Sequence, residues 1–503
     1  MIYDATTMRL PLALSADVCV IGAGAGGAMA AMVAAEAKKR VVVIEPGAFL
    51  TPADMCQRED AMIPALYADA GARTSSNRGV KILQGKGVGG STLHNLNLCK
   101  RIPSALHERW QKERGLETLD ALTLDGLYSE VEALLAVSPV PRAAWNDHNR
   151  LLEAGCRALG WRGGGLRHNR TGCLGSGFCE LGCAYDAKNN AAKILVPRAV
   201  DAAAVFITRC QAVAIEHANG RVAAVEAIAI DAKGESAGRV RIEAPRICVS
   251  ASATGTPALL ARSRIPDPSG STGRTLRLHP SVVAAGEFAE PVNAWRGIPQ
   301  TYECTEHLSF DEAGHRSWIV PAFAHPIGTA TLLPGLGAEH AALMRHYDRI
   351  AVFTAMLHDR SQGTVRADGK TGVTVDYWPD AADQAELRFG LAACARLLFA
   401  AGAQRVIVPT FPLRVLHRPE DLAELERIPF EPGAIDLTAV HPMGSVAMGD
   451  DPKSAAVDSE GKHHHVEGLW IADASLFPSS IGVPPQLSVF ALALVVGRSS
   501  AAH

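Results

Sequence analysis

Residues 17–45 read DVCVIGAGAGGAMAAMVAAEAKKRVVVIE, and this stretch decides the fold. Residues 17–21 form a short apolar β run. Residues 22–27 follow as a turn carrying Gly22, Gly24 and Gly27 in the spacing Gly-x-Gly-x-x-Gly. Residues 28–37 are Ala-rich and helical. Residues 41–44 form a second β run that ends at Glu45. Strand, glycine turn, helix, strand and acid in that order make a βαβ dinucleotide-binding unit. The glycines let the backbone approach a pyrophosphate, and the helix N-terminus turns N–H groups toward it. Glu45 stands where a carboxylate accepts from ribose hydroxyls and would repel a 2′-phosphate.

The same logic extends outward. Residues 85–95 form a second Gly-rich loop ending in polar side chains, suited to backbone packed on a planar or phosphate ligand. Residues 211–230 alternate apolar and polar about Asn219-Gly220, which predicts a hairpin. Residues 246–250 read as a strand leading into a helix with Leu259 and Leu260. Residues 363–377 predict strands around Asp368-Gly369, and 381–401 an amphipathic helix stopped by Gly402. At the C-terminal end, His441-Pro-Met-Gly444 precedes an apolar strand from Leu469 that ends in Asp473. A Gly/Pro loop from Ile481 to Gln486 then leads into an apolar closing helix.

The chain has 503 residues, 48% of them apolar, enough for two large lobes. Its 49 basic and 52 acidic residues balance to −3, which gives no support for a nucleic-acid partner or a polybasic membrane contact. No charge-free stretch of membrane-spanning length is present. Residues 8–14 are apolar but lack a basic region before them, so no secretory leader is expected and the expected location is cytoplasmic.

Taken in order, these pieces resemble the glucose–methanol–choline (GMC) oxidoreductases, and the resemblance runs from Ala16 to about Arg498. It is carried by Gly22–Gly27, by Gly87-Val-Gly-Gly-Ser-Thr with Asn95, by residues 250–260 and by Gly273-Arg-Thr-Leu-Arg-Leu-His-Pro280. His441-Pro-Met-Gly444 and residues 469–475 complete it. The resemblance implies an α/β fold (α+β overall). A Rossmann-like FAD domain is expected over 1–105, 165–290 and 431–503. A substrate domain or cap on an antiparallel sheet is expected over 106–164 and 291–430. It assigns Gly22, Gly24, Gly27 and Glu45 to the ADP half of FAD, and Gly87, Gly89, Gly90, Ser91, His94 and Asn95 to the flavin and diphosphate. Val213 is expected to meet the adenine through its backbone, and Asp473, Ala474 and Pro485 to lie near the ribityl and diphosphate.

The resemblance also implies a reaction: hydride transfer from a primary or secondary alcohol to flavin N5, with His441 as the base for the hydroxyl proton. An imidazole with an ordinary pKa of about 6.5 suits that task. The family usually places a second His or Asn where this chain has Pro484, which has neither a side-chain donor nor an N–H. His94 occupies the place where some members attach FAD covalently; packing on the flavin without a bond is the other reading. Cys173, Cys179 and Cys183 crowd a Gly-rich loop as Cys-x5-Cys-x3-Cys. That spacing is similar to the iron–sulfur loop of FAD-dependent dehydrogenase catalytic subunits. Plain structural thiols, a disulfide, or zinc with His168 as fourth ligand are the other readings. The remaining eight cysteines are expected to be buried thiols.

A cluster would favour a dehydrogenase that passes electrons to a protein acceptor or a quinone. The alternatives are an oxygen-using alcohol oxidase, a lyase or isomerase on a flavin scaffold, and a nicotinamide-linked or non-catalytic nucleotide-binding protein. Trp295, Trp318 and Trp378 fall in the expected substrate domain, where they line a pocket or fill the core. His463, His464 and His465 are expected on an exposed loop.

Overall fold

The computed structural model describes residues 1–502 apart from 232, 312, 323, 324 and 334. The apolar run Val18–Ile21 is buried at every position. It pairs in parallel with Val41–Glu45 on one side and Ile247–Val249 on the other. Among the described residues the sheet order is Ile2–Asp4, Val205–Thr208, Val41–Glu45, Val18–Ile21, Ile247–Val249, Leu469–Ile471. All of these pairings are parallel. Such a sheet needs cover on its faces, which is why its strands read as continuous apolar runs. Helix Ala25–Glu36 packs between the sheet and the closing helix Gln486–Ala502. Gly497 allows that approach, since a Cβ there would come within 2.9 Å of Val33 Cβ and 3.1 Å of Ala30 Cα.

The predicted hairpin is present as Cys210–Ala218 and Arg221–Ile230. It turns at Asn219 (φ 52°) and Gly220 (φ 74°), the left-handed pair that a tight hairpin requires. Strands Ser236–Glu243 and Leu12–Ser15 extend it.

The substrate side is built on a mainly antiparallel sheet centred on Ser281–Glu287, Ile350–Leu357 and Ser317–Pro321. Its two faces alternate with the period of a strand. Val282 and Ala284 enter a core shared with helix Ala381–Ala400, while Ser281, Val283 and Ala285 face a large cavity. The helix starts where Asp380 accepts from the Asp383 N–H, as an N-cap does.

Both sheets draw on segments from distant parts of the chain. Ser281–Glu287, Leu437–Ala439 and Val80–Ile82 all join the substrate-side sheet. Helices Ser104–Arg114 and Ala121–Leu134, expected in the cap, bury Leu106, Trp110, Leu124 and Val131 in the nucleotide-side core. Strand pairing joins segments distant in sequence. Two expectations fail: Cys56 is exposed, and His463 is buried. Among the described residues no helix is long and apolar enough to cross a membrane.

Candidate active site

A cavity of about 1210 Å³ is lined from both large sheets. On the nucleotide side its wall is mostly backbone. Gly22, Gly24, Gly90, Ser91 and the segment 45–48 line it, with the first turn of helix Ala25–Glu36 opening beside them. Gly22 has φ 100°, and a Cβ there would lie 2.2 Å from the Ser250 carbonyl oxygen. A Cβ on Gly90 would lie 2.8 Å from Gly24 Cα, so the two glycine turns meet directly. This cradle, with the helix N-terminus at its edge, fits a pyrophosphate.

Glu45 lines the same wall. Its carboxylate accepts from the N–H groups of Ala23 (3.0 Å), Gly47 (2.9 Å) and Gly87 (2.9 Å), and burial raises its pKa. The side chain thus organises both glycine turns while still facing the cavity. Asp473 also lines it and accepts from Ser252 N–H (2.8 Å), Ser475 N–H (2.9 Å) and the Thr256 and Ser475 hydroxyls. It ties the strand Leu469–Ile471 to the helix Ser252–Arg262.

Several expected contacts are placed differently. Gly27 does not line the cavity; its missing Cβ clears the Gly22 carbonyl, and the residue serves helix packing. Gly87 and Gly89 shape their loop with φ near 100° but also lie off the cavity wall. Val213 is the extra residue of a β-bulge between Ala212 and Ala214, and the adjoining Cys210, Gln211 and Ala212 line the cavity. Ala474, Pro484 and Pro485 line the cavity.

His94 is buried against Tyr67, with ring centroids 3.9 Å apart. Its Nε2 has no hydrogen-bond partner, and burial holds its pKa down to about 3. Asn95 donates to Gln486 Oε1 (2.7 Å), which joins the second glycine loop to the closing helix. Lys188, fully buried, donates to the carbonyls of Leu93, Asn95 and Cys179 and pins this loop from behind. No local pattern marks Lys188 or Gln486, because their partners lie in other elements.

His441 lies just after strand Leu437–Ala439, half-buried on the cavity wall. Its segment runs antiparallel to residues 277–279. Arg277 and Met443 exchange N–H···O bonds of 2.8 and 2.9 Å. That register sets His279 opposite His441, with the two Nδ1 atoms 3.3 Å apart and the rings at 84°. Burial pushes the His441 pKa down to about 3 and the His279 pKa well below its ordinary value. His279 is 0% exposed, and the Gly482 N–H donates to its Nε2 at 2.8 Å. The backbone N–H groups of Leu278 and His279 donate to Asp359, which the Tyr377 hydroxyl also reaches (2.8 Å). His279 belongs to a motif visible in the sequence, but only the strand register gives it a partner.

Cys173, Cys179 and Cys183 line one small pocket of their loop. Among the described residues no group of three or more His, Cys, Asp or Glu side chains is placed to hold a metal ion. The Cys173 thiol takes an Arg170 N–H (3.5 Å) and the Cys183 thiol the Ala187 N–H (3.3 Å). His168, the expected fourth ligand for zinc, bonds the Gln300 carbonyl through Nε2 (2.9 Å). Of the three tryptophans, Trp318 lines the cavity; Trp295 stacks on Tyr347, and Trp378 packs beside Gly79.

The family models described as GMC oxidoreductase match residues 63–281 and 359–493, and the FAD binding domain model matches residues 17–52. An uncharacterised GMC-type oxidoreductase of Mycobacterium tuberculosis is 37% identical over 98% of this chain and 77% of that protein. The chain belongs to the GMC oxidoreductase family. A long-chain-alcohol oxidase of Arabidopsis thaliana is 26% identical over 96% of this chain and 67% of its own. Among solved structures, pyridoxine 4-oxidase superposes with a TM-score of 0.74 at 19% identity, covering 97% of this chain and 99% of that one. Formate oxidase superposes with a TM-score of 0.72 at 15% identity, covering 97% and 98%. FAD is the cofactor that the family membership and the glycine cradle both support.

Proposed function

We propose that the protein oxidises a CH–OH group, primary or secondary, with His441 as the side chain that meets the reacting oxygen. Bound FAD supplies the hydride acceptor at N5. The observation that carries the reading is the place of His441, on the wall of the cavity that also holds the Gly22, Gly24 and Gly90 cradle. A group there can hold an alcohol oxygen while its carbon faces the flavin.

The opposite wall supports a bulky apolar alcohol. Val283, Ala285, Val352, Thr354 and Met356 face the cavity from neighbouring antiparallel strands. A wall of this kind selects by shape and gives few polar fixed points. The preference for a dehydrogenase rested on a cluster at Cys173, Cys179 and Cys183, and it loses that support without a ligand set there. Oxygen or a soluble quinone is then the acceptor to assay first.

The test is anaerobic mixing of flavin-loaded protein with short and long primary and secondary alcohols, following loss of flavin absorbance. Bleaching by at least one class, slowed in His441→Ala with flavin content unchanged, supports the reading. A yellow protein that no alcohol bleaches would favour lyase or isomerase chemistry instead.

A further inference from the structure

We propose that His279 is a positioning residue that holds His441 in one neutral tautomer, with its proton on Nε2. His441 then meets the substrate oxygen as a hydrogen-bond donor, in place of the proton-accepting role expected from the sequence. The role toward substrate rests on the alcohol reading above; the tautomer itself does not.

A chain of hydrogen bonds fixes the direction. The Gly482 amide can only donate, so His279 Nε2 accepts from it at 2.8 Å. The ring is fully buried, and burial together with the neighbouring His441 and His358 keeps it neutral. Its single proton therefore sits on Nδ1. That proton faces His441 Nδ1, 3.3 Å away. His441 Nδ1 is thus an acceptor, and the proton of the neutral His441 ring sits on Nε2, the nitrogen left for the cavity. The opposite tautomer of His441 would set two N–H groups head to head. Turning His279 over to relieve that clash would set its own N–H against the Gly482 amide instead.

The surroundings do not offer an escape. Asp359 is taken by the Leu278 and His279 amides and the Tyr377 hydroxyl, and the Arg316 guanidinium donates to the His358 carbonyl. Among the described residues none of these side chains hydrogen-bonds either ring nitrogen of the pair. His279 itself does not line the cavity, so it acts through His441. An alcohol oxygen that accepts from Nε2–H keeps its own O–H for water in the cavity. Bound FAD would take the C–H hydride, and the hydroxyl proton would pass to solvent, because His441 Nε2 already carries its own proton.

The tautomer can be read directly. Flavin-loaded protein labelled with ring-¹⁵N histidine is examined by long-range ¹H–¹⁵N NMR between pH 6 and pH 8, near the ordinary histidine pKa of about 6.5. The His441 signals are assigned by their loss in His441→Asn. The expected result is a neutral His441 with the Nε2–H form in roughly tenfold excess or more. His279→Gln should keep that form, because a carboxamide can accept from Gly482 and donate to His441. His279→Leu should leave a mixture of tautomers. An Nδ1–H form in the wild type, or an unchanged tautomer in His279→Leu, overturns the proposal. If His279→Leu does not fold, the wild type and His279→Gln still decide. If the tautomer is as stated but no alcohol reduces the flavin, the alcohol reading fails and the tautomer assignment stands.

Discussion

The two walls of the cavity are built from different material. The nucleotide wall is backbone: Gly22, Gly24 and Gly90 bring main chain to the ligand, and Glu45 and Asp473 spend their oxygens on protein N–H and O–H groups. The substrate wall is side chain: Val283, Ala285, Val352 and Met356 project from strands, and His441 takes its place from a strand register. A backbone wall tolerates few substitutions, because added atoms have nowhere to go. A side-chain wall can be recut residue by residue without touching the scaffold.

The largest expected effect is on the backbone wall. A Cβ on Gly26 would lie 1.6 Å from the Ala472 carbonyl oxygen, and neither backbone can give way. Gly26→Val should cost more than about 4 kcal/mol and yield protein without flavin, seen as lost 450 nm absorbance and a lower Tm. A yellow, stable variant would break the contrast.

Next comes His441 on the other wall. His441→Ala should keep its flavin yet reduce it roughly 10²- to 10³-fold more slowly, as loss of a positioned hydrogen-bond donor does. A wild-type rate would remove His441 from the site.

Recutting the apolar wall should act more gently. Val283→Phe should leave flavin content unchanged and lower kcat/KM for bulky alcohols by about tenfold or more, with small alcohols less affected. Loss of flavin in this variant would show that the two walls are not independent.

A smaller effect is shared by both halves of the molecule. Burial lowers the pKa of His94 to about 3 and of His148 and His358 to about 4. Their unfolded values are near 6.5, so below that pH the unfolded chain binds protons that the fold refuses. Stability should therefore be full above about pH 6.5 and decline as the pH falls below it. Tm measured across that range should show the decline, and His148→Asn should make it shallower. A flat profile would mean that these rings are hydrated.

The smallest effect is expected at the cysteine loop. Replacing Cys173, Cys179 and Cys183 by Ser should change stability by only about 0.5 kcal/mol for each half-buried site, with flavin and iron content unchanged. An iron-dependent absorption band in the wild type that disappears in this variant would restore an electron path out of the flavin.

The sequence by itself determined the nucleotide half. Gly22, Gly24, Glu45 and the runs at 18–21 and 41–45 signal through local rules, because a left-handed turn needs glycine and a doubly covered strand needs a continuous apolar run. It also located His441, by motif, and the helix Ala381–Ala400, by periodicity. Tertiary structure alone decided the rest. A bulge makes Val213 the unpaired residue of its strand, and the Cys173 and Cys183 thiols accept from the Arg170 and Ala187 N–H groups. His279 reached His441 because Arg277 pairs with Met443, residues more than 160 positions apart in the chain. Such partners are fixed by strand register and the burial of whole sheets, and neither leaves a pattern in the residues nearby.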